Sequence, residues 1–335
     1  MSILAIEAVS VGQLSSRQDW KALLDLCFDL REKAIRANEQ QAFEVIGYFE
    51  PIIRDAQKSY ALLIVFELSK DNLALDEFAF ELLRTLGVLI ESTLQPYIKE
   101  LYCLLTISAG DVPDIQAVAD GDFGSICERL ETALKDKSLL SPEPWGVRVN
   151  QWRNIAQHHS FVVRGDSIVA TYGRSQARKQ VCLSRSELLT LAEELVRRLG
   201  ALKTSRVITA VNHLDRLEAH LPPTAPDQYS HATALTASFA TQGFRLLQLH
   251  IEANRALANI EDMAPTEGNE RPIHCSQFVA AIANRFPHVS VQVQYVARGR
   301  HLWTFEATAE DLDRIMGLDD PLAKLARVVT FRKEP

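Results

Sequence analysis

Nine consecutive residues, Trp152-Arg-Asn-Ile-Ala-Gln-His-His-Ser160, bring a cation, an amide and two imidazoles together. Arginine carries a permanent charge whose planar fork clamps a phosphate. Histidine titrates near neutral pH and can pass protons. Asn154 can orient a neighbouring group. A guanidinium and an imidazole around one phosphodiester suffice for RNA cleavage without metal. The 2′-hydroxyl attacks the adjacent phosphate, the histidine moves a proton, and the arginine neutralises charge on the transferring group. Spacing sets a condition on this chemistry. Positions 153 and 158 are separated by about 140° around an ideal helix. They converge only if the helix ends between them or if a second subunit contributes.

The surrounding charge favours an anionic ligand. Between Trp145 and Gln180 stand Arg148, Arg153, Arg164, Arg174, Arg178 and Lys179, opposed by Asp166 alone. Six basic residues against one acid give a local charge of +5 in a chain whose net charge is −7. A basic island in an acidic protein is the pattern expected where one surface meets phosphates. Arg148, His159, Arg164, Arg174, Arg178 and Lys179 are therefore the candidate RNA contacts, and Trp152, Phe161 and Tyr172 could stack bases. A solvated, arginine-rich hairpin is the alternative reading of the same residues.

Composition bounds the rest. The chain has 335 residues, 47% hydrophobic and 24% charged, which excludes collagen-like, low-complexity and disordered classes. Its length fits two or three domains. Cys27, Cys103, Cys127, Cys182 and Cys275 are scattered and form no C-x-x-C pair, so reduced thiols in a cytoplasmic protein are expected. Met1 to Gly12 lacks the basic start of a signal peptide, and no apolar run is long enough to cross a membrane. No G-x-G-x-x-G, P-loop or G-x-S-x-G is present, which disfavours dinucleotide, NTPase and α/β-hydrolase chemistry. His213, Asp215 and His220 lack zinc-site spacing, and His274-Cys275 has no partners in view, so neither metal nor cofactor is expected. Glu77, Glu81 and Glu91 read as a solvated helix face.

The elements that must position the motif follow from periodicity. Residues 16–110 read as helical, with Pro51 and Pro96 opening or kinking helices, and 109–122 reads as loop. Helices are expected from Phe123 to about Lys135 and from Val147 to His159. Short strands follow at 161–163, 167–172 and 180–183. Ser184-Arg-Ser-Glu187 is a capping box that opens a helix, with Gly200 placed to end it. Residues 204–221 and 230–262 read as further helices split by Pro222-Pro223, and 264–272 reads as a linker. Beyond it come a helix at Cys275–Phe286, a hairpin of Val289–Val296 with 302–306, a short helix at Asp311–Met316 and a last strand at 326–331. The expected class is mainly α: a helical bundle with a small β-hairpin insertion after the motif helix, plus a small C-terminal α/β region. The expected divisions are 1–87, 88–200, 201–263 and 273–335.

Arg153-Asn154-Ile-Ala-Gln-His158 resembles the R-N-x-x-x-H signature of HEPN domains. An aromatic residue precedes it, a strand and turn follow it, and the capped helix after Ser184 matches the closing helix; the similarity spans residues 88–200. The resemblance implies a helical bundle that forms a homodimer across the motif helices. It further implies a metal-independent endoribonuclease of a toxin, antiviral-defence or RNA-processing system, with a possible regulatory or antitoxin protein partner. Arg153 and His158 would be the catalytic pair and Asn154 the assisting polar residue. Some members are non-catalytic scaffolds, which is the alternative here. This sequence departs from the pattern in its doubled histidine, His158-His159, and in its long flanks.

Overall fold

The computed structural model describes residues 11, 12, 14–65, 73–173, 177–222, 228–240, 242–316 and 324–334. Arg174, Pro223 and the first ten residues lie outside this set. The protein is mainly α-helical, and no helix among the described residues is long and apolar enough to cross a membrane. Two compact units form, one within residues 7–224 and one within 225–335.

The first unit is helical with one small sheet. Helices α1 (Gln18–Ala37) and α2 (Glu39–Val65) are followed by α3 (Leu75–Val88), a π-helical stretch (Leu89–Leu94) and α4 (Gln95–Ser108). Pro96, in the first turn of α4, has no amide hydrogen to return to Ser92. That missing bond gives a physical reason for the wider π turn before it. α4 is buried on nearly every side, through Tyr97, Ile98, Glu100, Leu101, Cys103, Leu104 and Ile107, and is the central helix of the unit. The segment read as loop contains a short helix, α5 (Ile115–Asp120), because the Asp114 carboxylate caps it by accepting from the Ala117 amide at 3.0 Å. α6 (Phe123–Leu134) and the motif helix α7 (Val149–Gln157) come next. Strands β1 (Phe161–Arg164), β2 (Ser167–Tyr172) and β3 (Lys179–Leu183) then pair antiparallel in the order β1-β2-β3.

α8 (Arg185–Asn212) opens on the expected capping box, in which Ser184 and Glu187 satisfy each other's amides. Gly200 does not end it. The helix continues because Leu202, Ser205, Arg206 and Thr209 are buried beyond it. Tertiary burial outweighs a glycine cost of about 1 kcal/mol. Two short turns, α9 (Leu214–Leu217) and a 3-10 turn (Glu218–His220), finish the unit.

Arg206 extends from this second half of α8 into a buried ionic network. Its Nε donates to Glu100 Oε2 at 2.9 Å, one Nη pairs with Glu50 at 2.8 Å, and the other donates to the Ile46 carbonyl at 3.2 Å. Arg31 of α1 bonds the other oxygen of Glu100. Arg31 and Glu100 are both fully buried. Burial alone would raise the Glu100 carboxyl, but Arg206 and Arg31 outweigh it and hold the group below its ordinary range.

The second unit begins with α10 (Gln228–Ala240). It then forms β4 (Phe244–Ile251) and β5 (Arg255–Asp262), where the sequence reads as helix. The misreading has a cause. These strands are rich in Leu and Ala, and a bulge between Leu246 and Gln248 breaks the alternation of β4. α11 (Glu270–Ser276) starts inside the segment read as a linker, and α12 (Phe278–Arg285) follows it. These two helices connect β5 to a parallel β6 (Ser290–Ala297). β7 (Arg300–Ala307), α13 (Ala309–Met316) and β8 (Thr330–Lys333) complete a five-stranded sheet in the order β4-β5-β6-β7-β8. Phe239, Phe278, Ile282, Leu312 and Ile315 of the helices share one core with Ala258, Ile260, Val293 and Phe305 of the sheet. Asp262, buried at the end of β5, accepts from Arg271 at 2.6 Å and from the Tyr295 hydroxyl at 2.8 Å. β4 and β5 thus belong with this sheet, and 201–263 is not one helical extension.

Glu100→Gln leaves two buried guanidiniums sharing a neutral amide. It should destabilise the helical unit by about 3–5 kcal/mol, read from urea denaturation. Because the folded carboxyl lies below its ordinary range, its stabilisation is complete above that range and is lost as pH falls through it. Wild-type stability should therefore fall on acidification, and Glu100→Gln should flatten that fall.

Candidate functional site

The motif helix α7 is anchored by Val149, Trp152, Ile155 and Ala156, all buried at helical spacing. It crosses α3 closely: a Cβ on Gly87 would stand 2.8 Å from the Ala156 Cβ, so only glycine allows this approach. At its end the Ser160 amide donates to the Ile155 carbonyl at 3.0 Å and the His159 amide to the Ala156 carbonyl at 3.4 Å. His159 has φ +47°. These bonds and that left-handed residue make a Schellman stop, with histidine where glycine is usual. Histidine is among the side chains that tolerate this region best.

The stop decides which imidazole does what. His158, the C-cap at φ −95° and ψ 6°, leaves the helical path and lines a cavity of about 200 Å³. His159 turns to the other side, where its ring stacks on Phe80 at 5.1 Å and 17°. The helix thus ends between Arg153 and His158, which is the condition the spacing required.

Arg153, Asn154 and His158 all line this cavity, together with Asp122, Asn150, Gln151, Ser160, Thr171, Tyr172 and Gly173. Arg153 donates to Asn154 Oδ1 at 3.1 Å and to Gln95 Oε1 at 3.4 Å, and its guanidinium lies 5.7 Å from the Phe123 ring centroid. Among the described residues it has no carboxylate within salt-bridge distance. Lys99 lies nearby, donating to the Ala119 carbonyl at 2.6 Å. Burial lowers its ammonium, Asp120 opposes that, and Arg153 adds to the lowering. Asp122 caps α6 by accepting from the Ser125 amide at 2.8 Å. At the helix end, Gln157 bonds Glu91 of the π-helical stretch. β2 delivers Thr171 and Tyr172, and Gly173 follows at φ +91°, its amide donating to Gln151 Oε1 at 3.3 Å.

The other basic candidates are dispersed. Lys179 pairs in register with Tyr172 and so stands beside the cavity, with Arg178 next to it and exposed. Arg164 pairs with Ser167 at the opposite end of the hairpin, roughly 16 Å along the strand from Tyr172. Arg148 is engaged with Glu131 at 3.1 Å. Of the proposed stacking residues, Trp152 is buried in the core and Phe161 packs against it, whereas Tyr172 faces the cavity.

Sequence reasoning missed Asn150 and Gln151 as cavity residues, although Asn150 lies one turn before Asn154 on the same face. Asp122, Thr171 and Gly173 reach the site only through tertiary packing. Glu91 and Glu81 are hydrogen-bonded to Gln157 and Arg84. His213 pairs with Glu32 at 3.1 Å and His274 with Gln242 at 2.7 Å. Among the described residues no three His, Cys, Asp or Glu side chains converge as metal ligands. A larger concavity of about 310 Å³ in the α/β unit includes Glu306 and Asp311, which disfavour a phosphate there.

No protein-family model matches the chain, and no curated protein or solved structure matches it either.

The left-handed stop yields a direct test. A β-branched residue is strained at positive φ, so His159→Val should cost about 1–2 kcal/mol. His159→Gly, which accepts that backbone freely, should stay within about 1 kcal/mol of wild type in the same denaturation series.

Proposed function

We propose that the protein is a metal-independent endoribonuclease of the HEPN type that cleaves single-stranded RNA. One observation carries this reading: Arg153, Asn154 and His158 line one polar cavity, and the helix that bears them ends between the arginine and the histidine. In the reaction His158 takes the proton of the 2′-hydroxyl. The O2′–P bond forms, the P–O5′ bond breaks, and the departing O5′ takes up a proton. Arg153, lacking a carboxylate partner among the described residues, neutralises charge on the transferring phosphate. Asn154 accepts from Arg153 and so orients it. Lys179 and Arg178 extend the positive rim along the strand, while Arg164 and Arg148 contribute at a distance.

In this reading the protein acts in the cytoplasm as a homodimer, with two motif helices facing one RNA groove, in a toxin or antiviral-defence setting with a regulatory or antitoxin partner. The exposed apolar side chains Phe80 and Val88 on α3, the first stacked on His159, support a self-association surface beside the site.

Purified wild-type protein should cut single-stranded RNA in the presence of EDTA and leave 2′,3′-cyclic phosphate and 5′-hydroxyl ends. His158→Ala should lower the rate about 10²–10⁴-fold with an unchanged circular dichroism spectrum, and Arg153→Ala should act in the same direction. RNA left uncut by the wild type, or cut equally by Arg153→Ala/His158→Ala, returns the protein to the scaffold class.

A further inference from the structure

Two cavity-lining residues hold buried polar atoms without a hydrogen-bond partner among the described residues: Oδ1 of Asn150 and Nε of Arg153. Native structures keep few such groups, and each calls for an explanation. Arg153 Nε is a donor, and a phosphate oxygen can satisfy it. Asn150 is different. The residue is only 5% exposed. Its amide nitrogen lies toward α6: both Asn150 Nδ2 and Asp122 Oδ2 are 3.1 Å from where a Cβ on Gly124 would stand. The oxygen is left as a lone buried acceptor.

A phosphodiester offers only acceptors, so it cannot satisfy that oxygen. The missing partner must carry N–H or O–H. Asn150 and Arg153 are three residues apart on one helix and therefore neighbours on one face. A group bound to Asn150 thus belongs to the same nucleotide as a phosphate bound to Arg153, or to the next one. The cavity has room for about six waters at roughly 30 Å³ each, or for one flat heterocycle. Tyr172, at the end of β2, supplies an aromatic face.

We infer that this cavity reads a nucleobase, with Asn150 Oδ1 accepting a hydrogen bond from the exocyclic amino group of cytosine or adenine stacked against Tyr172. The inference rests on the ribonuclease reading and adds base selectivity to it. The discrimination is between amino and carbonyl at one ring position. Uracil and hypoxanthine place an oxygen where cytosine and adenine place an amino group, so two acceptors would face each other and Asn150 would stay unsatisfied.

The test is equilibrium binding of the full chain to a short RNA with one 2′-deoxy nucleotide at the scissile position. That nucleotide cannot be cleaved and offers no 2′-hydroxyl donor. Wild type should bind deoxycytidine at least tenfold more tightly than deoxyuridine, and deoxyadenosine at least tenfold more tightly than deoxyinosine. Asn150→Leu should bring both ratios within threefold. A substrate-side measurement guards against misfolding of that variant: N4,N4-dimethylation of the cytosine should cost wild type the same tenfold. Equal binding of the paired bases by wild type, or ratios unchanged in a folded Asn150→Leu, overturns the inference. Base-selective, Asn150-dependent binding by a protein that cuts no RNA upholds the pocket and defeats the nuclease reading. RNA cleavage without selectivity does the reverse.

Discussion

A fully buried carboxylate organises the helical unit. Glu100 sits on the central helix, and taking its charge out of water is tolerable only with cations at hydrogen-bond distance. Arg31 and Arg206 supply them from α1 and α8, and Arg206 reaches on to Glu50 and Ile46 of α2. Four helices are therefore held by one set of charges that cannot be separated without leaving one of them bare. This network also accounts for the length of α8, since Arg206 lies beyond the glycine at which that helix could have stopped.

The same central helix reaches the cavity. Gln95, at its start, accepts from Arg153, and Lys99, next to Glu100, lies close enough for its ammonium to feel the Arg153 charge. The motif is thus supported by an element whose position the buried ions fix. The π-helical stretch before α4 adds a second support, because Glu91 bonds Gln157 at the point where the motif helix ends. A site held through these neighbours needs few contacts of its own, which leaves Arg153 Nε and Asn150 Oδ1 uncommitted.

Helix termination converts an awkward spacing into a shared site. On a continuous helix, Arg153 and His158 would diverge by about 140°. The left-handed conformation of His159 ends the helix, brings His158 out of the helical path and sends the chain into β1, whose pairing with β2 carries Tyr172 to the cavity. The two adjacent histidines have different physical roles, one lining the cavity and one holding the turn.

Much of this was legible in the sequence, because it depends on local chemistry. The capping box at Ser184, the run of helices in the first half, the three short strands after the motif and the hairpin around Arg298-Gly299 all follow from side-chain periodicity, caps and turn residues. So does the pairing of a cation with an imidazole in one short segment. What the sequence left undecided was decided by contacts between distant residues. β4 and β5 are made of good helix formers, and pairing with neighbouring strands overrode that preference. Gly200 stayed helical because residues beyond it had a core to enter. The cavity needed Asp122, Thr171 and Tyr172 from separate elements, and no spacing rule brings those together. Local preferences are worth tenths of a kcal/mol per residue, whereas burial and pairing act in whole kcal/mol, so where the two disagreed the tertiary structure prevailed.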